Sequence, residues 1–238
     1  VIRYYGADYE PITLSAGYSE IRRTYNEKKQ IIRESYFDTE RQPVARTNGY
    51  ASVSYERDGV GNITVYHYYD VNGDPQTLSN GYAVLYRDYN ENNQYIRDRY
   101  YDGEGNPVMH KDKFAGVEYS RDASGNINLY RYIGFDGKPT IRSGGYAIMR
   151  RVFNEKKQII RESYFDVNDA PILIGSGYAS VEYERNAAGS VTVYRYYGLD
   201  GEPVMLSDGY FERHREYDEN NQLIREEYFD MEGNLVPR

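Results

Sequence analysis

The sequence predicts an all-β fold of tandem 32-residue β-hairpin repeats stacked as a solenoid, with a structural period of 64. Three observations carry this prediction. The stretch from Asn26 to Asp38 (NEKKQIIRESYFD) returns without a change from Asn154 to Asp166, an offset of 128 residues, or four steps of 32. Gly17-Tyr18, Gly49-Tyr50, Gly81-Tyr82, Gly145-Tyr146, Gly177-Tyr178 and Gly209-Tyr210 keep the same step, with Lys113-Phe114 as the departure. Finally, Pro recurs with the period, Gly is abundant, and no apolar stripe at helical spacing extends over several turns, which argues against helix. A fixed period of this size is the signature of a repeat architecture whose units contact only their neighbours.

The array is read as one domain over 1–238, with a half unit at 1–16 and units at 17–48, 49–80, 81–112, 113–144, 145–176, 177–208 and 209–238. The half unit aligns Tyr4 with Tyr36 and Pro11 with Pro43, so the chain is expected to be cut from a longer protein.

Each unit reads as a hairpin. In the third, the run from Tyr82 to Tyr89 has strand composition, Asn90 to Gln94 has turn composition, and Tyr95 to Tyr101 is strand-like again. Strands of about eight residues are expected, about 27 Å long at the usual rise. A second turn follows at Asp102-Gly103-Glu104-Gly105-Asn106-Pro107, where the acid can bond the turn backbone, Gly105 can take positive φ and Pro107 ends the pairing. A lone hairpin is marginal in water, so stacking must stabilise each unit.

Consecutive units differ. The seventh position reads Arg23, Tyr55, Arg87, Tyr119, Arg151, Tyr183, Arg215, and two residues on the chain reads Tyr25, Arg57, Tyr89, Arg121, Phe153, Arg185, Tyr217. Arg and aromatic residue exchange places at every step. The second strand alternates too, with Arg33-Glu34, Arg97-Asp98, Arg161-Glu162 and Arg225-Glu226 against Val65-Tyr66, Leu129-Tyr130 and Val193-Tyr194. Consecutive hairpins are therefore expected to point to opposite sides of the array. Tyr36, Tyr68, Tyr100, Tyr132, Tyr164, Tyr196 and Tyr228 never alternate and form the expected core seam, together with Ile31, Ile63, Ile127, Ile159, Val191 and Leu223.

Composition bounds the function. There are 30 Tyr and no Trp, and Tyr serves both recognition surfaces and half-buried pleated faces. The net charge is −8, and from Glu202 onward ten acids meet four bases; the remainder is nearly neutral, which argues against an electrostatic nucleic-acid groove. No Cys is present, so neither a disulfide framework nor thiolate chemistry is available. No signal peptide and no apolar run long enough to span a membrane is found, and no direct membrane insertion is expected.

Catalysis finds little support: His67, His110 and His214 sit at unrelated places in the repeat, without a Ser or Cys partner at a suggestive spacing. The run from Asp70 to Asp74 resembles a calcium loop only superficially, since the later bidentate Glu is missing and a turn accounts for its residues. No metal and no cofactor is expected.

The sharper hypothesis rests on Arg23, Tyr25, Tyr55, Arg57, Arg87, Tyr89, Tyr119, Arg121, Arg151, Phe153, Tyr183 and Arg185 as ligand-binding residues. Tyr faces stack on sugar rings or quaternary ammonium groups, and Arg bonds phosphate or carboxylate in bidentate fashion. Repetition would multiply weak contacts. The same physics also describes Arg stacked on a neighbouring Tyr as a purely structural cross-strand pair.

The Gly-Tyr openings, and Tyr68-Tyr69-Asp70, Tyr100-Tyr101-Asp102 and Tyr228-Phe229-Asp230 ahead of a Gly turn, resemble the aromatic β-hairpin repeats of bacterial cell-wall-binding modules of the choline- and glucan-binding kind. The units here are longer, and the Trp of that motif is missing. The run from Tyr55 to Asn62 resembles, more distantly, the YD repeats of large bacterial wall-associated and toxin-shell proteins. These resemblances imply a bacterial β-repeat protein.

The expected function is a non-catalytic module binding a repetitive bacterial cell-surface glycopolymer, teichoic acid or polysaccharide, at grooves between units. Its place would be the cell surface or outside the cell, or the cytoplasmic face of the membrane as part of a polymer synthase. The alternative is a structural spacer, shell or protein-interaction array with no small ligand. Exposed Tyr grooves with unpaired Arg would favour binding; Arg paired with acids of the Glu34 type and buried Tyr edges would favour the scaffold.

Overall fold

A computed structural model describes residues 1–237. It is all-β, and no helix occurs among the described residues. The strands are β1 (Ile2–Arg3), β2 (Glu20–Tyr25), β3 (Ile31–Phe37), β4 (Ser52–Arg57), β5 (Ile63–Tyr69), β6 (Val84–Tyr89), β7 (Tyr95–Tyr101), β8 (Gly116–Arg121), β9 (Ile127–Ile133), β10 (Ile148–Phe153), β11 (Ile159–Phe165), β12 (Ser180–Arg185), β13 (Val191–Tyr197), β14 (Glu212–Tyr217) and β15 (Leu223–Phe229). The chain forms two compact units, Val1–Val117 and the residues from Glu118 onward, with the boundary inside β8. In the first unit β1 to β7 lie in chain order, each antiparallel to the next. In the second, β9 to β15 do the same. This is the β-solenoid-like array of hairpins that the period predicts.

From β2 onward the strands are six or seven residues long, shorter than the eight expected, because each hairpin ends in a bulge. Tyr25 pairs with Ile31 while Thr24 pairs with Arg33, leaving Ile32 as the extra residue. The turn that follows needs one left-handed residue, supplied by Lys29, Asn93, Lys157 and Asn221 in odd units and by Gly61, Gly125 and Gly189 in even ones. Its acid or Asn closes the turn, as where the Gln30 amide donates to Asn26 Oδ1 at 2.9 Å.

The second turn forms as read from the sequence. Asp102 Oδ1 accepts the amides of Glu104 at 2.9 Å and Asn106 at 2.8 Å, Gly105 takes φ 88°, and Pro107 makes a single antiparallel bridge with Tyr101. A third turn precedes each Gly-Tyr. At the departure from the motif, Lys113 adopts φ 67° in the place of Gly, and His110 stacks on Phe114 with ring centroids 4.5 Å apart.

Consecutive hairpins do not point to opposite sides. Asn62 Nδ2 donates to Asn93 Oδ1 at 3.0 Å, and Ser190 Oγ donates to Asn221 Oδ1 at 2.7 Å, so the tips of adjacent hairpins touch. All-antiparallel pairing in chain order requires this: each hairpin turn falls on the same edge of its sheet, and each longer link on the other. The two-unit alternation has a different origin, described below.

The core is a ladder of rings. In the first unit the centroids of Tyr4, Tyr18, Tyr36, Tyr50, Tyr68, Tyr82 and Tyr100 follow one another at 4.7–6.1 Å, and Phe114 ends the series 5.8 Å from Tyr100. In the second unit Tyr132, Tyr146, Tyr164, Tyr178, Tyr196, Tyr210 and Tyr228 repeat it at 4.8–6.0 Å. Each ladder alternates a seam Tyr from the second strand with a Tyr of a Gly-Tyr pair. Tilted and edge-on contacts of this kind contribute about 0.5–1.5 kcal/mol each beyond area burial, which accounts for the demand for Tyr at two places per unit.

The aliphatic part of the expected seam is displaced. Ile31, Ile63, Ile127, Ile159 and Val191 are only half-buried and Leu223 is exposed, because they open the second strand beside the hairpin bulge, at the sheet edge. The apolar partners of the seam come instead from Ile21, Val53, Leu85, Met149 and Val181, each directly across from a seam tyrosine, while Val84 and Ile148 are buried on the opposite face.

Candidate functional site

The seventh-position residues of consecutive units meet at a carboxylate between them. Arg23 Nε donates to Glu34 Oε1 at 2.8 Å, and the Tyr55 hydroxyl, 21 residues beyond Glu34, donates to Oε2 at 3.0 Å. Arg151 and Tyr183 hold Glu162 in the same way, at 2.8 and 2.7 Å. Arg87 grips Asp98 with two parallel bonds, Nε to Oδ1 at 2.7 Å and Nη2 to Oδ2 at 2.8 Å, and Asp98 is buried.

The row continues through aromatic pairs. Tyr55 meets its direct cross-strand partner Tyr66 edge-on at 5.6 Å, Tyr119 meets Tyr130 at 5.6 Å, and Tyr183 meets Tyr194 at 5.5 Å. The next Arg then closes on the second ring: Arg151 Nη1 donates to the Tyr130 hydroxyl at 2.9 Å, and Arg215 Nη1 to that of Tyr194 at 2.9 Å. The order along each sheet is thus Arg, carboxylate, Tyr, Tyr, Arg. It joins direct and diagonal cross-strand neighbours on the same face as the ring ladder, since Glu34 and Tyr36 are two residues apart on β3. An odd unit supplies the ion pair and an even unit supplies the phenol that completes it, which is the origin of the 64-residue period.

The electrostatics agree with this geometry. Burial, and then the neighbouring carboxylate of Glu34 or Glu162, pushes the hydroxyls of Tyr55 and Tyr183 well above the usual phenol range. The Asp98 bond keeps Arg87 more firmly protonated than usual, although burial opposes it.

In the other half of the predicted series, four side chains clip a unit to the one before it. Arg57 donates to the Ile31 carbonyl from Nη2 at 2.8 Å and to Gly61 from Nη1 at 2.7 Å; Arg185 repeats this on Ile159 from Nε at 2.9 Å and on Gly189 from Nη1 at 2.7 Å. Where an aromatic replaces Arg, the Tyr89 hydroxyl reaches the Ile63 carbonyl at 3.1 Å, and that of Tyr217 reaches Val191 at 3.1 Å. Every clip spans 26 residues. The bulge supplies the acceptor, since it interrupts the regular ladder at the opening of the second strand.

Of the remaining predicted residues, Tyr25 closes β2 with its ring exposed, Phe153 closes β10 half-buried, and Arg121 closes β8. A hollow of 530 Å³ lies beside Tyr183, bounded by Ile160, Arg161, Glu182, Glu184 and Arg195, whose charges are paired: Arg161 with Glu182 at 3.2 Å and Arg195 with Glu184. Among the described residues no group of three or more acids and histidines is placed to hold a metal ion. The acids Glu34, Asp98, Glu162 and Glu226 were absent from the sequence-based site. Their signal was present in the alternation of Arg-acid with apolar-Tyr on the second strands.

No family model matches the chain, and no curated protein matches it. Solved structures do. The crystal structure of TcdB2-TccC3-Cdc42 matches at 12% identity and a TM-score of 0.23, over 91% of this chain and 14% of that one. The crystal structure of TcdB2-TccC3 matches at 10% identity and a TM-score of 0.25, over 91% and 13%. The Photorhabdus luminescens Tc holotoxin pore matches at 10% identity and a TM-score of 0.21, over 91% and 16%. The chain thus spans less than a fifth of the chains it matches.

Proposed function

We infer that this chain is a non-catalytic structural array, a self-locking β-hairpin segment that spaces, encloses or presents other parts of a larger assembly. The observation that carries the reading is the shared carboxylate: Glu34 accepts Arg23 and Tyr55 together, and Glu162 accepts Arg151 and Tyr183 together. The Arg and Tyr groups best suited to grasp a phosphate-bearing polymer already hold each other, and a ligand would have to displace bonds that join one repeat to the next. Breaking a charge-assisted bond of this kind costs about 1.5–3 kcal/mol. A neutral sugar contact returns only about 0.5–1.5 kcal/mol, and a phosphate contact would return no more than the bond it displaces.

The test is calorimetric titration of the chain with purified teichoic acid and with neutral glucans, beside an Arg87→Ala variant. A scaffold loses thermal stability in the variant and shows no saturable teichoic acid binding in either form. Saturable teichoic acid binding by the parent chain that disappears in a still-folded Arg87→Ala variant would overturn the reading.

A further inference from the structure

On the face opposite the ring ladder, cross-strand partners at the junctions between repeats are mostly bulky: His67 faces Val84, Arg131 faces Ile148 and Arg195 faces Glu212. At two junctions both partners are serine, Ser35 facing Ser52 and Ser163 facing Ser180. The side-chain volume missing there leaves a hollow at each, about 210 Å³ at the first and about 260 Å³ at the second. The two linings correspond residue for residue at an offset of 128.

Each hollow has an apolar wall, a hydroxylated floor and a guanidinium at one end. Phe37 and Pro43 form the wall of the first, and the turn holding Val71 forms its rim; Phe165, Pro171 and Leu199 repeat them in the second. Val71 and Leu199 are exposed aliphatics at the tips of their turns. Arg33 Nη2 donates to Ser52 Oγ at 2.9 Å, and its guanidinium lies 5.0 Å from the centre of the Tyr69 ring; Arg161 donates to Ser180 Oγ at 3.1 Å beside Tyr197. The arginine is therefore held in place while keeping further N–H donors for a guest. Among the described residues Ser35 and Ser163 make no side-chain hydrogen bond, and both line a hollow.

Charge selects among ring-sized guests. Asp70 lines the first hollow with Arg33, and in the second Asp200 joins Arg161, which is itself paired with Glu182 at 3.2 Å. Neither hollow carries a net positive charge, so neither favours an anion. Donors and acceptors over an apolar wall match a guest that is both polyhydroxylated and ring-shaped. Pockets for drug-sized ligands run to about 300–1,000 Å³, and these smaller hollows accept one ring.

We propose that the two Ser–Ser hollows are binding sites for a neutral hexose ring, with its C–H face against Phe37 or Phe165 and its hydroxyls toward the serines and the arginine. The site is independent of the Arg–carboxylate–Tyr row, which lies on the other face and remains structural.

The experiment is a titration of the chain with glucose, galactose and N-acetylglucosamine, followed by ligand-observed NMR and calorimetry. Glucuronate serves as the charged control and benzyl alcohol as the bare apolar ring. Ser35→Leu and Ser163→Leu fill the hollows with bulk that other junctions already carry, so the fold is retained, which a melting curve checks. The expected result is saturable binding of at least one neutral hexose at two sites, one site in each single variant, and roughly tenfold or greater weakening in the double variant from steric exclusion. No saturable hexose binding would overturn the proposal. So would hexose binding unchanged in the double variant, glucuronate binding tighter than any hexose, or binding of benzyl alcohol alone. Because the filling variants leave the Arg–carboxylate–Tyr row intact, these outcomes stand apart from those of the teichoic acid titration.

Discussion

Tyr183 and Glu162 are 21 residues apart in the chain, and the phenol of one donates to the carboxylate of the other at 2.7 Å across the junction of two repeats. The second oxygen of Glu162 is taken by Arg151 of its own hairpin at 2.8 Å, and side-chain exposure is 15% for Glu162 and 26% for Arg151. One half-buried anion thus ties the inside of a unit to the next unit.

Glu162→Gln should therefore lower stability by about 1.5–3 kcal/mol, the range for a bond to a charged group. Combined with Tyr183→Phe in a double-mutant cycle, it should show coupling above about 0.5 kcal/mol, since the two groups touch. Denaturant unfolding of the four proteins measures this. Additive losses would show that the shared carboxylate does not join the repeats.

Deletion tests the two-unit period. Removal of residues 49–112 places another even unit after the first odd one and leaves Glu34 facing a tyrosine; removal of residues 49–80 alone sets Arg87 where Tyr55 stood. The longer deletion should give the more stable protein, because it preserves the odd–even interface on which nearest-neighbour stability depends. Denaturation midpoints of the two shortened chains decide it, and a higher midpoint for the shorter deletion would contradict the 64-residue unit.

High pH should unfold the ladder. Burial, and then the neighbouring Tyr146, pushes the Tyr132 hydroxyl from 10.0 up to about 12, and burial also raises Tyr36, Tyr164 and Tyr196. A folded state that holds these protons more tightly than the unfolded chain keeps its full stability below about pH 10 and loses it as pH rises through the folded values. Circular dichroism should show cooperative unfolding in that window, with phenolate absorbance rising at the same pH. Ionisation of all 30 phenols at about pH 10 in a chain that stays folded would contradict the ladder.

The hairpin turns predict a stabilising change. Lys157 sits at φ 59°, where a side chain is strained, and its even-unit counterpart is Gly189 at φ 94°. Lys157→Gly should raise stability by about 0.5–1 kcal/mol, since relief of left-handed strain outweighs the added freedom of the unfolded chain. Gly189→Ala should cost about 1–2 kcal/mol by the reverse effect, and its Cβ would also stand 2.5 Å from Gln158 Nε2. Thermal melts of both variants check the opposite signs.

Much of this was legible in the chain because a strict repeat reports the same physical demand seven times over. Asp102, Gly105 and Pro107 mark the second turn by residue type alone, and the invariant seam at Tyr36 and its copies marks half of the ring ladder. Ile31 and Leu223 were misplaced because a bulge changes which residues face inward, and strand alternation alone does not show where an extra residue enters. The direction of the hairpins is not legible for a related reason: alternation of residue type has two causes, opposite placement or complementary contact, and periodicity does not separate them.

The sequence by itself determined the hairpin, the period of 32 doubled to 64 and the tyrosine seam, because each of these follows from local turn chemistry and from the spacing of aromatic residues. Only the tertiary structure shows what the Arg and Tyr side chains touch. Arg23 and Tyr55 are capable of the same stacking and hydrogen bonding whether their partner is a ligand or a carboxylate, and the choice was made by Glu34, which the register of β3 against β2 and β4 places between them. The Ser–Ser hollows likewise exist only in three dimensions, since a small residue makes a cavity only when the residue across from it on the next strand is small as well.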